Sequence, residues 1–284
     1  MRATPGPLPP PSSLALEGDE GEWERLKEKI HRERGFNCLF YKDKCLRRRI
    51  AVRLRARAEP SFEAYASLLD RDPAEYDLLL DTLTINVTKF FRNLPTWEAV
   101  EEHCLPTLFA GSGVRRIWSA GSASGEEAYT VSILLRRWAE HHGGAGQLGR
   151  FRIVGTDIDR RSLEAARQAE YPELSLVETP AEVRERWFGA GPPFRLVPEA
   201  RENVSFLRRD LISEPPLAEQ SLIFCRNVVI YFDRGIQESL FQTFYDALVP
   251  GGFLVMGKVE TLVGPARARF RSVHGRERIF QKPL

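Results

Sequence analysis

The sequence predicts an α/β protein, a mostly parallel sheet covered by helices on both faces and preceded by a small all-helical domain. Two patterns carry that prediction. From Glu22 to about Thr84 apolar residues recur at helical spacing, whereas after Pro95 short β-like runs alternate with helical stretches. A third observation is bulk: 284 residues, 43% of them hydrophobic, suffice for about two domains with sizeable cores. Collagen-like, fibrous and wholly disordered readings are excluded.

Residues 1 to 20 combine Pro, Ser and acidic residues with few apolar ones, a composition that cannot offset its own ordering entropy, so a disordered tail is expected there. A helical domain over 21–93 follows. Leu46, Ile50 and Leu54 recur every four residues, and Tyr76, Leu79, Leu80 and Leu83 keep the 3.6 period. Asp72-Pro73-Ala74-Glu75 reads as a helix start, with Asp as N-cap, Pro in the first turn and Glu reaching back. The remaining domain, 94–284, shows strand-like runs at Arg115–Ala120, Phe151–Thr156, Ser221–Cys225, Gly252–Gly257 and Arg278–Gln281. Between Tyr171 and Phe206 five prolines break the rhythm around Phe194–Val197 and Val204–Phe206, which predicts a small insertion over 171–206, partly antiparallel.

Charge nearly cancels, 41 Lys and Arg against 39 Asp and Glu, so the chain as a whole is no polyelectrolyte and any basic patch is local. No apolar stretch approaches the ~20 residues a bilayer span requires. The Pro-rich start lacks the apolar core of a secretory signal, and a cytoplasmic location is expected. Cys38, Cys45, Cys104 and Cys225 lie far apart, with no CxxC and no clustered His. That predicts reduced thiols, no disulfide framework and no metal site.

The run Arg116–Ala120 leads directly into Gly121-Ser122-Ala123-Ser124-Gly125-Glu126-Glu127 and then a helix. Gly121 and Gly125 let the backbone turn tightly at the carboxyl end of the first strand, where open α/β sheets bind nucleotides. A pyrophosphate would be repelled by Glu126 and Glu127, whereas a cationic amino-acid group would be held by one of them. Dinucleotide and P-loop readings therefore lose ground. The second strand ends at Asp157, placed to take ribose hydroxyls; Asp159, nearer the next helix, reads as its N-cap. A third strand ends at Arg209-Asp210-Leu211, where Asp210 can meet an adenine edge. With the tight turn Leu248 to Leu254 the pattern resembles the class I S-adenosylmethionine-dependent methyltransferase fold, Rossmann-like, whose cofactor carries an adenosine, an α-amino group and a sulfonium.

Three segments narrow the resemblance. Ile85-Asn86-Val87-Thr88-Lys89-Phe90-Phe91-Arg92-Asn93 precedes the sheet, Gly121–Tyr129 reads GSASGEEAY, and Phe224–Asp233 reads FCRNVVIYFD. Together they resemble the CheR-type chemotaxis receptor methyltransferases, from about Phe36 to Lys282. Ser122 stands where Cys is common in that family, Thr130 where Ser is common, and Lys258-Val259-Glu260 where His-Ser-Glu is common. Carried over, the resemblance implies Asn86, Thr88 and Arg92 beside cofactor and substrate, with Glu126 or Glu127 on the methionyl amino group. It implies Asp157 at the ribose, Asp210 and Leu211 at the adenine, Asn227 and Val228 under the cofactor, and Tyr231 near the transferring methyl. Arg92 and Tyr231 are the expected catalytic pair, while Phe90 and Phe91 read as core.

The implied reaction is methylation of glutamate side chains on the cytoplasmic helical bundle of a chemoreceptor or similar sensor, using S-adenosyl-L-methionine and releasing S-adenosyl-L-homocysteine. A monomer without nucleic-acid or direct membrane partners is expected. Arg49, Arg53 and Arg57 form an i, i+4 ridge separate from Leu46, Ile50 and Leu54, and are expected to project charge for docking an acidic bundle. An RNA or small-molecule methyltransferase and a cofactor-binding signalling scaffold without turnover are the alternatives.

Overall fold

A computed structural model describes residues 19–84 and 88–284; residues 1–18 of the tail expected over 1–20, and Asn86, lie outside them, while Asp19 and Glu20 already cap and begin a helix. The chain forms two compact units, 1–85 and 86–284. In the first, the described residues contain four α-helices: α1 (Glu20–Arg34), α2 (Asp43–Arg57), α3 (Phe62–Arg71) and α4 (Pro73–Leu83). Their apolar stripes meet in one core, with Trp23 and Ile30 from α1, Ile50 and Leu54 from α2, Phe62 and Tyr65 from α3, and Leu79 and Leu83 from α4 all buried.

Helix α4 starts as its sequence predicts, with Pro73 in the first turn and the Asp72 carboxylate accepting from the amides of Ala74 and Glu75. Glu75, however, does not reach back to the cap. It is fully buried, and its carboxylate receives two Arg53 hydrogen bonds (2.8 and 2.6 Å) and one from the Tyr65 hydroxyl (2.7 Å).

That network corrects the expectation of a projecting arginine ridge on α2. Arg53 is the fork of the Glu75 pair, Arg57 pairs with Asp72 at 2.9 Å and Glu75 at 3.3 Å, and Arg49 donates to the Thr82 carbonyl. The i, i+4 spacing did put the three on one face, but α4 packs on that face and its carboxylate takes the charge. Arg48, Arg55 and, at its last residue, Arg57 are the exposed arginines of this helix.

The second unit opens with α5 (Leu94–His103) and α6 (Leu105–Ala110) and continues with β1 (Arg115–Ala120), α7 (Glu126–His142), β2 (Phe151–Asp157), α8 (Arg160–Gln168) and β3 (Glu170–Tyr171). Then come α9 (Ala181–Trp187), β4 (Phe194–Arg195), β5 (Val204–Arg208), β6 (Gln220–Cys225) and α10 (Arg234–Ala247). The last elements are β7 (Leu248–Met256), α11 (Ala266–Arg269), β8 (Arg271–His274) and β9 (Ile279–Gln281). Seven strands form one sheet in the order β5-β2-β1-β6-β7-β9-β8. The first five are parallel, while β9 runs antiparallel to both β7 and β8. The chain moves outward from β1 through β2 to β5, then returns to the other side of β1 at β6. The topological switch point therefore lies between β1 and β6, and ligands of open α/β sheets bind outside the strand ends there.

The expected insertion contains a two-stranded antiparallel sheet, with Glu170 opposite Arg195 and Tyr171 opposite Phe194. The run Val204–Phe206, grouped with the insertion on sequence, instead begins β5, the edge strand beside β2. Phe206 explains the placement. Its ring packs inward, 5.3 Å from that of Tyr129, over Gly155 of β2, where a Cβ would lie 2.7 Å from the ring. All four cysteines are free thiols, no disulfide forms, and no His, Cys, Asp and Glu cluster suited to a metal occurs among the described residues. Nor is any described helix long and apolar enough to cross a membrane.

Candidate functional site

Strands β1, β2 and β6 end side by side, and the loops that follow them make the site. After β1 the amides of Gly121 and Ser122 both donate to the Thr156 carbonyl at 2.9 Å, tying this turn to the end of β2. Gly121 has φ +80°, and a Cβ there would stand 2.4 Å from Val228 Cγ2. Only glycine therefore lets the β1 turn close onto the loop after β6. The turn ends at Gly125, the N-cap of α7, which places Glu126 and Glu127 in the helix's first turn, where carboxylates oppose the positive end of its dipole.

These adjacent glutamates have different surroundings. Glu126 is 2% exposed, and its carboxylate accepts from the hydroxyls of Ser124 (2.7 Å) and Ser175 (3.0 Å). Glu127 accepts from the Ser119 hydroxyl at 2.8 Å and faces the Arg226 guanidinium at 3.3 Å, with 12% of its side chain still exposed. Burial pushes both carboxyls above their ordinary range; for Glu127 the charge of Arg226, the Ser119 hydroxyl and the charge of Arg92 pull the other way.

Arg226 is the centre of the constellation. Its guanidinium donates to the Arg92 carbonyl at 2.7 Å and lies 5.0 Å from the centre of the Trp97 ring. Burial lowers its pKa, opposed chiefly by the Glu127 charge. Arg92 itself, half-buried, is near enough to bear electrostatically on both members of the pair. Sequence reasoning passed over Arg226. The available signal was an arginine directly after a strand whose six residues are all buried, a position that calls for a buried counter-charge.

Asp157, at the tip of β2, accepts from the amides of Ala123 (2.8 Å) and Asp159 (3.0 Å), which braces the β1 loop against it. Burial raises its carboxyl, and those amides counter the shift. Asp159 is the N-cap of α8, as its position predicts, accepting from the Arg161 amide at 2.9 Å. Asp210 is folded into its own turn, accepting from the Ile212 amide (2.9 Å) and the Ser213 hydroxyl (2.6 Å), with Leu211 half-buried beside it.

After β6, Asn227 has φ +61°, and its Oδ1 is buried without a hydrogen-bond partner among the described residues. Glu260, 2% exposed, holds the next residues: it accepts from the amides of Val228 (2.9 Å), Val229 (3.0 Å) and Gly257 (2.6 Å). Tyr231, half-buried, stands on the single 3-10 turn Val229–Tyr231 that this anchor fixes. On sequence Glu260 stands only within the Lys258-Val259-Glu260 segment and has no role assigned, because its partners are backbone amides. Thr88 is half-buried in the loop before Phe90, while Phe90 and Phe91 are fully buried, as expected of core residues. The site thus gathers Arg92, Gly121, Glu127 and Val228 with Arg226, and binds Asp157 to the same loop; Asp210 is engaged within its own turn.

Residues 86–279 match the family model described as the CheR methyltransferase SAM-binding domain, and residues 21–84 match the CheR methyltransferase all-alpha domain. The chain is 34% identical over 261 residues to chemotaxis protein methyltransferase 2 of Pseudomonas aeruginosa, covering 85% of this chain and 87% of that one. It is 32% identical over 259 residues to the chemotaxis protein methyltransferase of Salmonella typhimurium, covering 87% and 85%. A 104.1 kDa uncharacterized protein of Rhodobacter capsulatus is 33% identical over 249 residues, which span 86% of this chain but 26% of that one.

Proposed function

Because the chain belongs to the CheR methyltransferase family, and is thereby an S-adenosylmethionine-dependent methyltransferase, we propose that it esterifies glutamate side chains. Its substrate in this reading is the cytoplasmic helical bundle of a chemoreceptor, and the products are glutamate methyl esters and S-adenosylhomocysteine. When bound, the cofactor supplies an electrophilic methyl group on a sulfonium. The residues present fit it. Asn227 offers a buried carboxamide oxygen with no partner among the described residues, Glu127 a carboxylate still partly open, and Asp157 a carboxylate at the strand tip next to the glycine loop.

The observation that carries the reading is the cluster of Glu127, Arg226 and Arg92 at the switch point. One carboxylate against two guanidiniums can take the zwitterionic end of an amino acid and still leave positive charge facing an acceptor. A glutamate carboxylate is ionised at neutral pH and needs no strong general base. Orientation is then the task of the chain. Arg92 aims the carboxylate through its planar fork, Tyr231 fixes the methyl-donor side, and the buried aromatic walls around Trp97 and Phe91 exclude water. Of the two glutamates, Glu127 is the partner of the methionyl ammonium, since Glu126 is sealed behind two hydroxyls.

Transfer of labelled methyl groups to chemoreceptor cytoplasmic fragments, followed by alkali, tests the proposal. Carboxyl methyl esters release volatile methanol, whereas methylated amines or RNA bases do not. Arg92→Ala is expected to lower transfer far more than it lowers affinity for S-adenosylhomocysteine by calorimetry. Alkali-stable label, or equal losses of transfer and affinity, would refute this assignment.

A further inference from the structure

We propose that Glu178, in the inserted segment, is a positioning residue for Arg92. The inference builds on the reading of Arg92 as the group that orients the acceptor carboxylate. The two residues flanking Arg92 both have left-handed backbone, Phe91 at φ +52° and Asn93 at φ +61°. Neither is glycine. Such strain persists only where the surroundings over-determine it, and its usual home is a functional site.

The surroundings here are specific. Phe91 donates its amide to the Thr130 hydroxyl at 3.2 Å, and that hydroxyl is itself fixed by donating to the Glu126 carbonyl at 2.6 Å. The Arg92 carbonyl accepts from Trp97 Nε1 (3.1 Å) and from Arg226 (2.7 Å). The Asn93 amide donates to the Glu178 carboxylate at 2.7 Å, and the same carboxylate takes the Lys89 ammonium at 3.5 Å. Asn93 stands at the N-cap of α5, yet its side chain makes no capping bond.

Glu178 therefore grips the strained segment on both sides of Arg92. The turn just before it adds a further tie, because the Ser175 carbonyl accepts from the Phe90 amide at 2.9 Å. Thr130, Trp97 and Arg226 come from helices and a strand end packed in the core. Glu178 is the charged tie contributed by the insertion. An acceptor on the Asn93 amide is what keeps that residue left-handed, and with it the direction in which the Arg92 side chain leaves the backbone.

The experiment compares Glu178→Ala and Glu178→Gln in the full chain. Turnover with a chemoreceptor cytoplasmic fragment, S-adenosylhomocysteine affinity and the 15N resonance of Arg92 Nε are measured for each. Expected for Glu178→Ala is a fall in kcat of about tenfold to a hundredfold, the scale set by a misplaced orienting group. Cofactor-product affinity should stay near wild type, and the Arg92 resonance should broaden or shift. Glu178→Gln keeps an acceptor for the Asn93 amide and should recover most of the turnover. Wild-type turnover in Glu178→Ala, equal loss in both variants, or loss of product binding in step with turnover would each overturn the proposal. If wild type itself transfers no alkali-labile methyl, the assigned reaction is at fault, and the Arg92 resonance alone decides on Glu178.

Discussion

Gly121 shows how much of the site rests on one missing methyl group. With φ +80° and 2.4 Å between its ideal Cβ and Val228 Cγ2, Gly121→Ala must shift the loop after β6 or lose the turn after β1. A destabilisation of roughly 1–3 kcal/mol is expected from the strained backbone alone, read as a lower denaturation midpoint together with weakened binding of S-adenosylhomocysteine. Asp157→Ala should weaken the same binding by about 1.5–3 kcal/mol, the scale of hydrogen bonds to charged groups, with folding largely retained. Calorimetry on both variants checks this; unchanged affinity in Asp157→Ala would remove it from the cofactor site. Sequence could place Gly121, Asp157 and the glutamate pair, since glycines and acids at strand tips carry local signals. It left Glu126 and Glu127 equivalent, because what separates them is Arg226 after β6 and Ser175 in the insertion. Long-range pairs of that kind have no local signature.

At the scale of the element, α2 and α4 are held face to face by a buried acid between arginines. Removing it by Glu75→Ala leaves Arg53 uncompensated and should cost about 3–5 kcal/mol, the range for breaking one side of a buried pair. Reversing Arg49, Arg53 and Arg57 to Glu should likewise unfold the first unit, as circular dichroism would report. Burial works to raise the Glu75 carboxyl, but the Arg53 and Tyr65 hydrogen bonds and the arginine charges hold it below its ordinary value. The stability this group contributes is therefore fully present above the unfolded carboxyl pKa, near 4.3, and is lost as pH falls through the lower native value. Thermal midpoints followed from pH 6 to pH 3 should drop, and the drop should be shallower in Glu75→Gln. The 3.6 period identified which residues of α2 share a face, yet a period cannot say what packs on it. For the same reason Val204–Phe206 looked like part of a Pro-rich insertion, when Phe206 is the inward ring of a sheet strand.

For the whole molecule, alternation of short β-like runs and helices made the α/β class legible, and three long segments made the family legible. The neighbour relations were not, because strand order is set by pairings between distant residues. Ligand linkage follows from the site's place among three strand ends: S-adenosylhomocysteine at about a hundred times its Kd should stabilise the native chain by about 2.7 kcal/mol. A matching rise in melting temperature, clearly smaller in Asp157→Ala at the same concentration, is the expected result of scanning calorimetry. The sheet order has one more consequence. Ile117 of β1 pairs with Leu222 of β6, and β9 sits between β7 and β8 although it follows both in sequence. The loops to be closed before those contacts reward the chain are long, so this sheet belongs among the slow folders of high contact order. The locally paired helices α1 to α4 can form much sooner, and on a stopped-flow trace helical signal should rise well before the Trp118 environment in β1 becomes native.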